Sequence, residues 1–320
     1  MTGIRAAILQ IVGREPEVEV ISHPGLPGRD EVLVAMRLAP INPADLLTIS
    51  GNYVMSGRLP TISGAEGVGE VVAVGEGVHD IACGDRVIPL RRGNWTSLRR
   101  LPVRDILRVR EDLPWPVAAM LRINPATASR LLDQTKLRPG DWAIQSGGDT
   151  AVARLLAILA RIRGVNIINV VRPHHGDDWA ARRLVAGDDL PARVARLTGG
   201  APILTAFDCV AGEETGALAA CLENGGKLIV YGHLSGRPCQ IPSTLLTGRG
   251  ICVSGFSLRT AEAGNSPAIL RSLYDDLAST LLGAASALPV AATVPLTRLG
   301  EALSLARQNP PGRVMLALAD

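Results

Sequence analysis

The sequence predicts an α/β protein of two domains, one β-rich and one built on a doubly wound parallel sheet, and three observations carry that reading. The first is length, since 320 residues exceed one ordinary small domain and let two domains each bury a core. The second is a change of texture near Pro116: short β-branched runs broken by Gly and Pro give way to apolar residues at helical spacing. The third is the alternation of strand and helix between Asp141 and Gly232, the pattern that covers both faces of a parallel sheet. Residues 1-117 form the first domain, completed by 259-320, and residues 118-258 form the second.

Each element follows from its own signal. Strands are expected in VEVISHP, EVLVAMRLAPI, GVGEVVAVGEGV and DRVIPL, with Gly84-Asp85 turning the chain back into Arg86-Val87-Ile88. Helical spacing begins in AAMLRINPATASRLLDQ. A β-α-β unit then runs from the short strand at Asp141–Gln145 through the helix AVARLLAILARIRG to the strand VNIINVV. Further strands fit ILTAFDCV and GKLIVYG, around the helix ETGALAACLENG. The tail supplies a helix near Ala268 to Leu282, a strand at PVAATVPL, a helix at GEALSLARQ and a last strand at GRVMLALA. Ser266-Pro267 is a fitting cap and first-turn pair for the first of these.

Composition narrows the function classes. The apolar share of 47% is scattered without a long unbroken run, so neither disorder nor a membrane span is expected. The N-terminus lacks the features of a secretory signal. The net charge of +3, with only short clusters such as Arg91-Arg92 and Arg99-Arg100, gives little reason to expect nucleic acid. Cys83, Cys209, Cys221, Cys239 and Cys252 are odd in number and form no C-x-x-C pair, which fits reduced thiols and a cytoplasmic location.

The cofactor signal lies at Gln145-Ser146-Gly147-Gly148-Asp149-Thr150-Ala151-Val152-Ala153, between a strand and a helix. Glycines there let the backbone approach a pyrophosphate, and the helix start offers it N–H groups and partial positive charge. The final glycine of the usual G-x-G-x-x-G is Ala153, so the same residues would also serve a tight strand-to-helix turn without a ligand. The following strand ends at Arg172. An acidic residue at this place would hold a ribose 2′-hydroxyl, whereas arginine suits a 2′-phosphate, so NADPH is the expected cofactor. The alternative is a solvated arginine at a strand end. His174 and His175 follow closely.

Ordered motifs then point to a family. Asn42-Pro43-Ala44-Asp45, Gly51-Asn52-Tyr53, Gly64-Ala65-Glu66-Gly67-Val68-Gly69, Val74-Gly75 and Gly84-Asp85-Arg86-Val87 resemble the medium-chain dehydrogenases/reductases, over nearly the whole chain. Asn124-Pro125-Ala126-Thr127-Ala128, Leu137-x-Pro139-Gly140-Asp141, Gln145, Asn169-Val170-Val171-Arg172, Tyr231-Gly232 and Gly255-Phe256 resemble the trans-2-enoyl thioester reductases and the neighbouring zinc-free quinone oxidoreductases. The resemblance implies a GroES-like β-rich catalytic domain and a Rossmann cofactor domain. Zinc-binding relatives carry Gly-His-Glu where this chain has Gly64-Ala65-Glu66, and the cysteine-rich zinc lobe is missing, so no metal is expected.

The chemistry the resemblance implies is reduction of an activated C=C bond, with hydride added to the β-carbon and a proton to the α-carbon. The substrate would be a 2-enoyl thioester or a related enone. Tyr53 is carried over as the residue that supplies or relays the proton, with a ring merely packed over the cleft as the other reading. Asn42 is carried over as a cleft contact and Thr127 as a nicotinamide-side contact. Tyr231 and Gly232 would turn beside the cofactor, and Phe256 would pack next to it. A zinc-free quinone or alkenal reductase is the nearest rival, and an NADPH-binding protein of weak activity acting through partners or RNA is the rival of another class. Relatives imply a homodimer paired through an edge strand within ILTAFDCV to GICVSGF. Two departures stand out. Ser257 follows Gly255-Phe256 where the family carries an aromatic nearby, and the short stretch between Arg172 and Asp208 leaves one Rossmann strand trimmed or lost.

Overall fold

The computed structural model describes residues 3–52, 58–172 and 182–319. The chain divides into two compact units, Met1–Ile123 with Asn265–Asp320, and Asn124–Gly264.

The first unit begins with strands β1 (Ile4–Leu9), β2 (Glu17–Ile21) and β3 (Glu31–Pro40), followed by helix α1 (Pro43–Ser50). Proline at its first turn and Asn42 before it set the start: the Asn42 N–H donates to Asp45 Oδ2 at 2.9 Å. Gly51, at φ +82°, ends the helix in the left-handed conformation that favours glycine. Strands β4 (Thr61–Ile62), β5 (Val68–Val74), β6 (Arg86–Pro89), β7 (Leu98–Pro102) and β8 (Ile106–Arg108) follow, then the short helix α2 (Trp115–Ala119). The turn expected at Gly84-Asp85 joins β5 to β6 as an antiparallel pair, with Gly84 at φ +91° and Asp85 Oδ2 accepting from the Ala82 N–H.

The second unit alternates as its sequence texture predicts. Helix α3 (Asn124–Asp133) leads into β9 (Trp142–Gln145), α4 (Ala151–Ile162), β10 (Asn166–Val171), β11 (Arg183–Val185) and α5 (Leu190–Thr198). Next come β12 (Ile203–Asp208), α6 (Glu213–Cys221), β13 (Lys227–Val230), α7 (Ser243–Arg249), β14 (Cys252–Gly255) and α8 (Leu258–Glu262). The tail returns to the first unit with α9 (Pro267–Leu282), β15 (Val290–Pro295), α10 (Leu299–Arg307) and β16 (Arg313–Ala317). Ser266 caps α9, its hydroxyl accepting from the Ile269 N–H.

In the first unit the main sheet runs β15-β16-β3-β5-β6-β8 with β7 also paired to β3, and a smaller sheet runs β2-β1-β4. The β15–β16 pair is parallel and the other pairs are antiparallel. Its core gathers Val34, Met36, Val71, Val87, Trp95 and Leu316. The second unit holds a six-stranded sheet in the order β11-β10-β9-β12-β13-β14, with its strand pairs all parallel. Read in chain order this is 3-2-1-4-5-6, the doubly wound Rossmann arrangement, and its direction reverses at β9. Ile144, Ile168, Ala206 and Leu228 fill the core around the central strands.

Two expectations are narrowed. The short stretch after Arg172 trims the third strand to Arg183–Val185 without removing it, because three residues suffice to pair with Asn169–Val171. Of the strands from ILTAFDCV to GICVSGF, β12 lies between β9 and β13, so its backbone is already paired on both sides and only β14 offers an edge. Among the described residues no helix is long and apolar enough to cross a membrane.

Candidate cofactor and substrate residues

The turn after β9 is laced to both neighbouring strands. The Ser146 N–H donates to Phe207 O at 2.9 Å, and the Gly148 N–H donates to Val170 O at 2.8 Å. The two glycines answer to different constraints. Gly147 holds φ +56°, and a Cβ on it would lie 2.5 Å from Cys209 Sγ. A Cβ on Gly148 would lie 2.9 Å from both Asn169 Cβ and Val171 Cγ1. The turn therefore lies flat against β10 and β12, at the carboxyl ends of the strands where the sheet order reverses.

Thr150 caps α4, its hydroxyl accepting from the Ala153 N–H at 3.3 Å. Ala151 and Val152 occupy the first turn, whose N–H groups have no partner within a helix. Together with the bare backbone at Gly147 and Gly148 they form an anion-attracting surface at the helix start. Asp149 is a departure from that surface: its carboxylate faces Arg183, with Nη2 3.8 Å from Oδ1. Arg172 is exposed at the residue after β10. Its charge reaches Glu214, whose carboxyl burial and Asp208 push up and Arg172 draws down.

Gln145 is wholly buried beneath the turn. Its Nε2 donates to Ala153 O at 2.9 Å and to Asn169 Oδ1 at 2.5 Å, tying β9 to α4 and β10. Its Oε1 has no partner among the described residues. Thr127 is buried on α3, which packs against α4. The Tyr231 N–H donates to Asp208 O, and the Phe256 N–H donates to Val230 O, both at 2.8 Å. A Cβ on Gly232 would lie 2.5 Å from Cys209 O, so no side chain fits there. The Tyr231 hydroxyl makes no hydrogen bond of ordinary geometry among the described residues, and burial, with Cys209 beside it, holds the phenol well above its usual range. Residues 145–152, 172, 231, 232 and 256 thus belong to the turn and strand ends at one edge of this sheet.

Sequence reasoning missed the group that fixes this edge. Ser146 Oγ donates to Asp208 Oδ1 at 2.7 Å and accepts from the Cys209 N–H at 3.0 Å. Asp208 Oδ1 also accepts from the N–H groups of Val210 and Ala211, and Oδ2 accepts from the Thr215 hydroxyl at 2.7 Å. Cys209 itself is held protonated, with burial pushing its thiol up to about 11. The available signal was Ser146 in a place where a glycine is usual.

In the first unit, Asn42 is buried, and its Nδ2 donates to Glu66 Oε1 at 2.8 Å. Glu66 Oε2 accepts from the Ile123 N–H at 2.8 Å. Burial pushes the Glu66 carboxyl up to about 7, against the pull of Asn42, Ile123 and Arg313. Asp45 is likewise pushed up by burial and opposed first by Arg92, whose Nη2 lies 3.1 Å from Oδ1. Asn42 Oδ1 is buried with no partner among the described residues, an acceptor open to an added donor. Ala65, which precedes Glu66, is buried. Tyr53, with His174 and His175, lies outside the described residues. Among the described residues no three His, Cys, Asp or Glu side chains group as a metal site.

Comparison with known proteins sets these residues in context. The alcohol dehydrogenase GroES-like domain matches residues 28–100. The chain is similar to the mitochondrial enoyl-[acyl-carrier-protein] reductase of Caenorhabditis elegans, with 33% identity over 274 residues that cover 82% of this chain and 79% of that protein. It is also similar to the solved structure of a putative NADPH:quinone reductase from Bacillus thuringiensis, at 27% identity and a TM-score of 0.90 over 99% of both chains. The mitochondrial 2-enoyl thioester reductase heterodimer of Candida tropicalis shares the fold, at 22% identity and a TM-score of 0.84 over 99% of this chain and 100% of that one.

Proposed function

The chain belongs to the enoyl-acyl-carrier-protein reductase family of medium-chain dehydrogenases/reductases and is an oxidoreductase, and from that premise we propose that it reduces the C=C bond of a 2-enoyl thioester at the expense of NADPH. The observation that carries the cofactor half is the glycine turn at the reversal point of a 3-2-1-4-5-6 sheet, with Arg172 at the end of the next strand. The thioester half is supported by the activity for which the Caenorhabditis elegans relative is named.

The residues fit a dinucleotide. Gly147 and Gly148 let the turn lie flat against β10 and β12, the first-turn N–H groups of α4 would receive the pyrophosphate, and Arg172 supplies charge for a 2′-phosphate. Bound there, the reduced nicotinamide supplies a hydride for the β-carbon of the acceptor. Thr127, Tyr231, Gly232 and Phe256 border the cofactor, while Gln145 acts from below by holding the turn to α4 and β10. Asn42, its Nδ2 fixed by Glu66, keeps Oδ1 available to a donor in the substrate cleft. Tyr53 delivers the proton to the α-carbon, its phenol being a suitable acid toward an enolate. The protein acts as a homodimer joined through β14.

Loss of nicotinamide absorbance with crotonyl-CoA, a simple enone and a quinone in turn tests the reading. Fastest oxidation with the thioester is expected, and chelator is expected to leave it unchanged. Oxidation with the quinone alone would transfer the assignment to quinone reduction, the activity for which the Bacillus thuringiensis neighbour is named. Binding of NADPH with no oxidation by any acceptor would leave a binding protein. Tyr53→Phe is expected to lower kcat by about 100-fold or more if the phenol transfers the proton, and full activity in that variant removes Tyr53 from the role.

A further inference from the structure

Asp149 is the charged residue of the 145–150 turn, and it stands immediately before the cap of α4. A carboxylate there is an acceptor only, as are the oxygens of a pyrophosphate. Both would be drawn to the same N–H groups and the same positive helix end, so an uncompensated Asp149 would repel the ligand the turn otherwise suits. Its Oδ1 is buried and has no hydrogen-bond partner among the described residues. Arg183 lies across from it, Nη2 to Oδ1 3.8 Å, with the two side chains only 17% and 19% exposed. Arg183 begins β11 and pairs in register with Asn169 of β10, the residue whose side chain accepts from Gln145. The trimmed third strand thus sets a cation beside the turn from a position paired to β10. Another arginine, Arg154, donates from Nε to the backbone oxygen of Asp149 at 3.3 Å.

The geometry points to Arg183 as a positioning residue for the dinucleotide: it neutralises Asp149 and holds that carboxylate toward β11, so that the turn and the start of α4 meet the pyrophosphate without a competing negative charge. This rests on the reading of residues 145–152 as a dinucleotide turn. Because the pyrophosphate is common to both nicotinamide dinucleotides, the contribution of Arg183 is equal for NADPH and NADH, which distinguishes it from a residue that grips the 2′-phosphate.

The test is titration of the purified full-length chain with NADPH and with NADH, followed by nucleotide fluorescence, for the wild type and the variants Arg183→Leu, Arg183→Lys, Asp149→Asn and Asp149→Asn/Arg183→Leu. Arg183→Leu is expected to weaken both nucleotides by about tenfold, as loss of one half-buried charge pair allows. Arg183→Lys should keep most of the affinity, and in the Asp149→Asn background Arg183→Leu should change binding by less than about twofold. Asp149→Asn alone should bind both nucleotides at least as tightly as the wild type, a comparison that holds even if Arg183→Leu fails to fold. Weaker binding by Asp149→Asn overturns the inference. So does a loss confined to NADPH that Asp149→Asn does not rescue, and so does an unchanged Arg183→Leu. If the wild type binds neither nucleotide, the dinucleotide reading itself falls, whereas wild-type binding with a silent Arg183→Leu removes only the role of Arg183.

Discussion

Replacing Glu66 by glutamine removes an ionisable group from a fully buried place while keeping its shape. The wild-type carboxyl is pushed up to about 7 in the folded chain, chiefly by burial, from an ordinary value of 4.5. Between those values the folded state binds the proton that the unfolded state has released. Its contribution to stability is therefore complete below about 4.5 and is lost as pH rises through about 7. Glu66→Gln should make the stability curve flatter in that window, and the variant should gain on the wild type between pH 5 and pH 8, by at most on the order of 3 kcal/mol. Denaturant unfolding at the two pH values measures this, and parallel curves would rule out Glu66 as the titrating group. At Arg172 the expected effect is on ligand choice instead. Arg172→Ala should weaken NADPH by about tenfold or more with NADH nearly unchanged, and equal losses would show that it does not hold the 2′-phosphate. Arg172 was legible because it ends a strand in a recognisable order. Glu66 was visible as a residue of a motif but not as a titrating group, because its upward shift comes chiefly from burial, with Asp45 adding to it and Asn42, Ile123 and Arg313 opposing it, all of them remote in sequence.

At the scale of elements, the join between β9, β12 and α6 depends on Asp208. Its carboxylate receives Ser146 from the end of β9, the N–H groups of Val210 and Ala211 from its own turn, and Thr215 from α6. Asp208→Ala leaves these buried donors without an acceptor and should lower stability by about 3 kcal/mol or more. Asp208→Asn should be milder, since one amide oxygen can still accept and the Thr215 hydroxyl can turn to accept from the amide nitrogen. A thermal melt that places the two variants together would show that the carboxylate hub is not what joins these elements. The elements themselves were legible from periodicity and punctuation: α4 in the run from Ala151 to Gly164, α9 after Ser266-Pro267, β5 and β6 around Gly84-Asp85. The third Rossmann strand was not. Three residues are too few to show a period, and β11 exists because β10 offers it a paired edge.

For the molecule as a whole, a ligand that binds only the folded state shifts unfolding by mass action. NADPH at a thousandfold excess over its dissociation constant should add about 4 kcal/mol and raise the melting temperature by about 5 °C. NADH at the same concentration should raise it less, if Arg172 reads the 2′-phosphate. A melting temperature indifferent to both nucleotides would contradict dinucleotide binding at the β9 turn. The sequence by itself determined the two-part architecture, the parallel sheet in its middle, the glycine turn and the arginine after the second strand, since each of these is written in neighbouring residues or in a repeating period. Only the tertiary structure decided the partners across the chain: Asn42 with Glu66, Ser146 with Asp208, Gln145 with Asn169, and Asp149 with Arg183. Those pairs are separated by 24, 62, 24 and, by subtraction of the residue numbers, 34 positions. No local preference encodes them, because burial and charge compensation arise only once packing brings distant residues together.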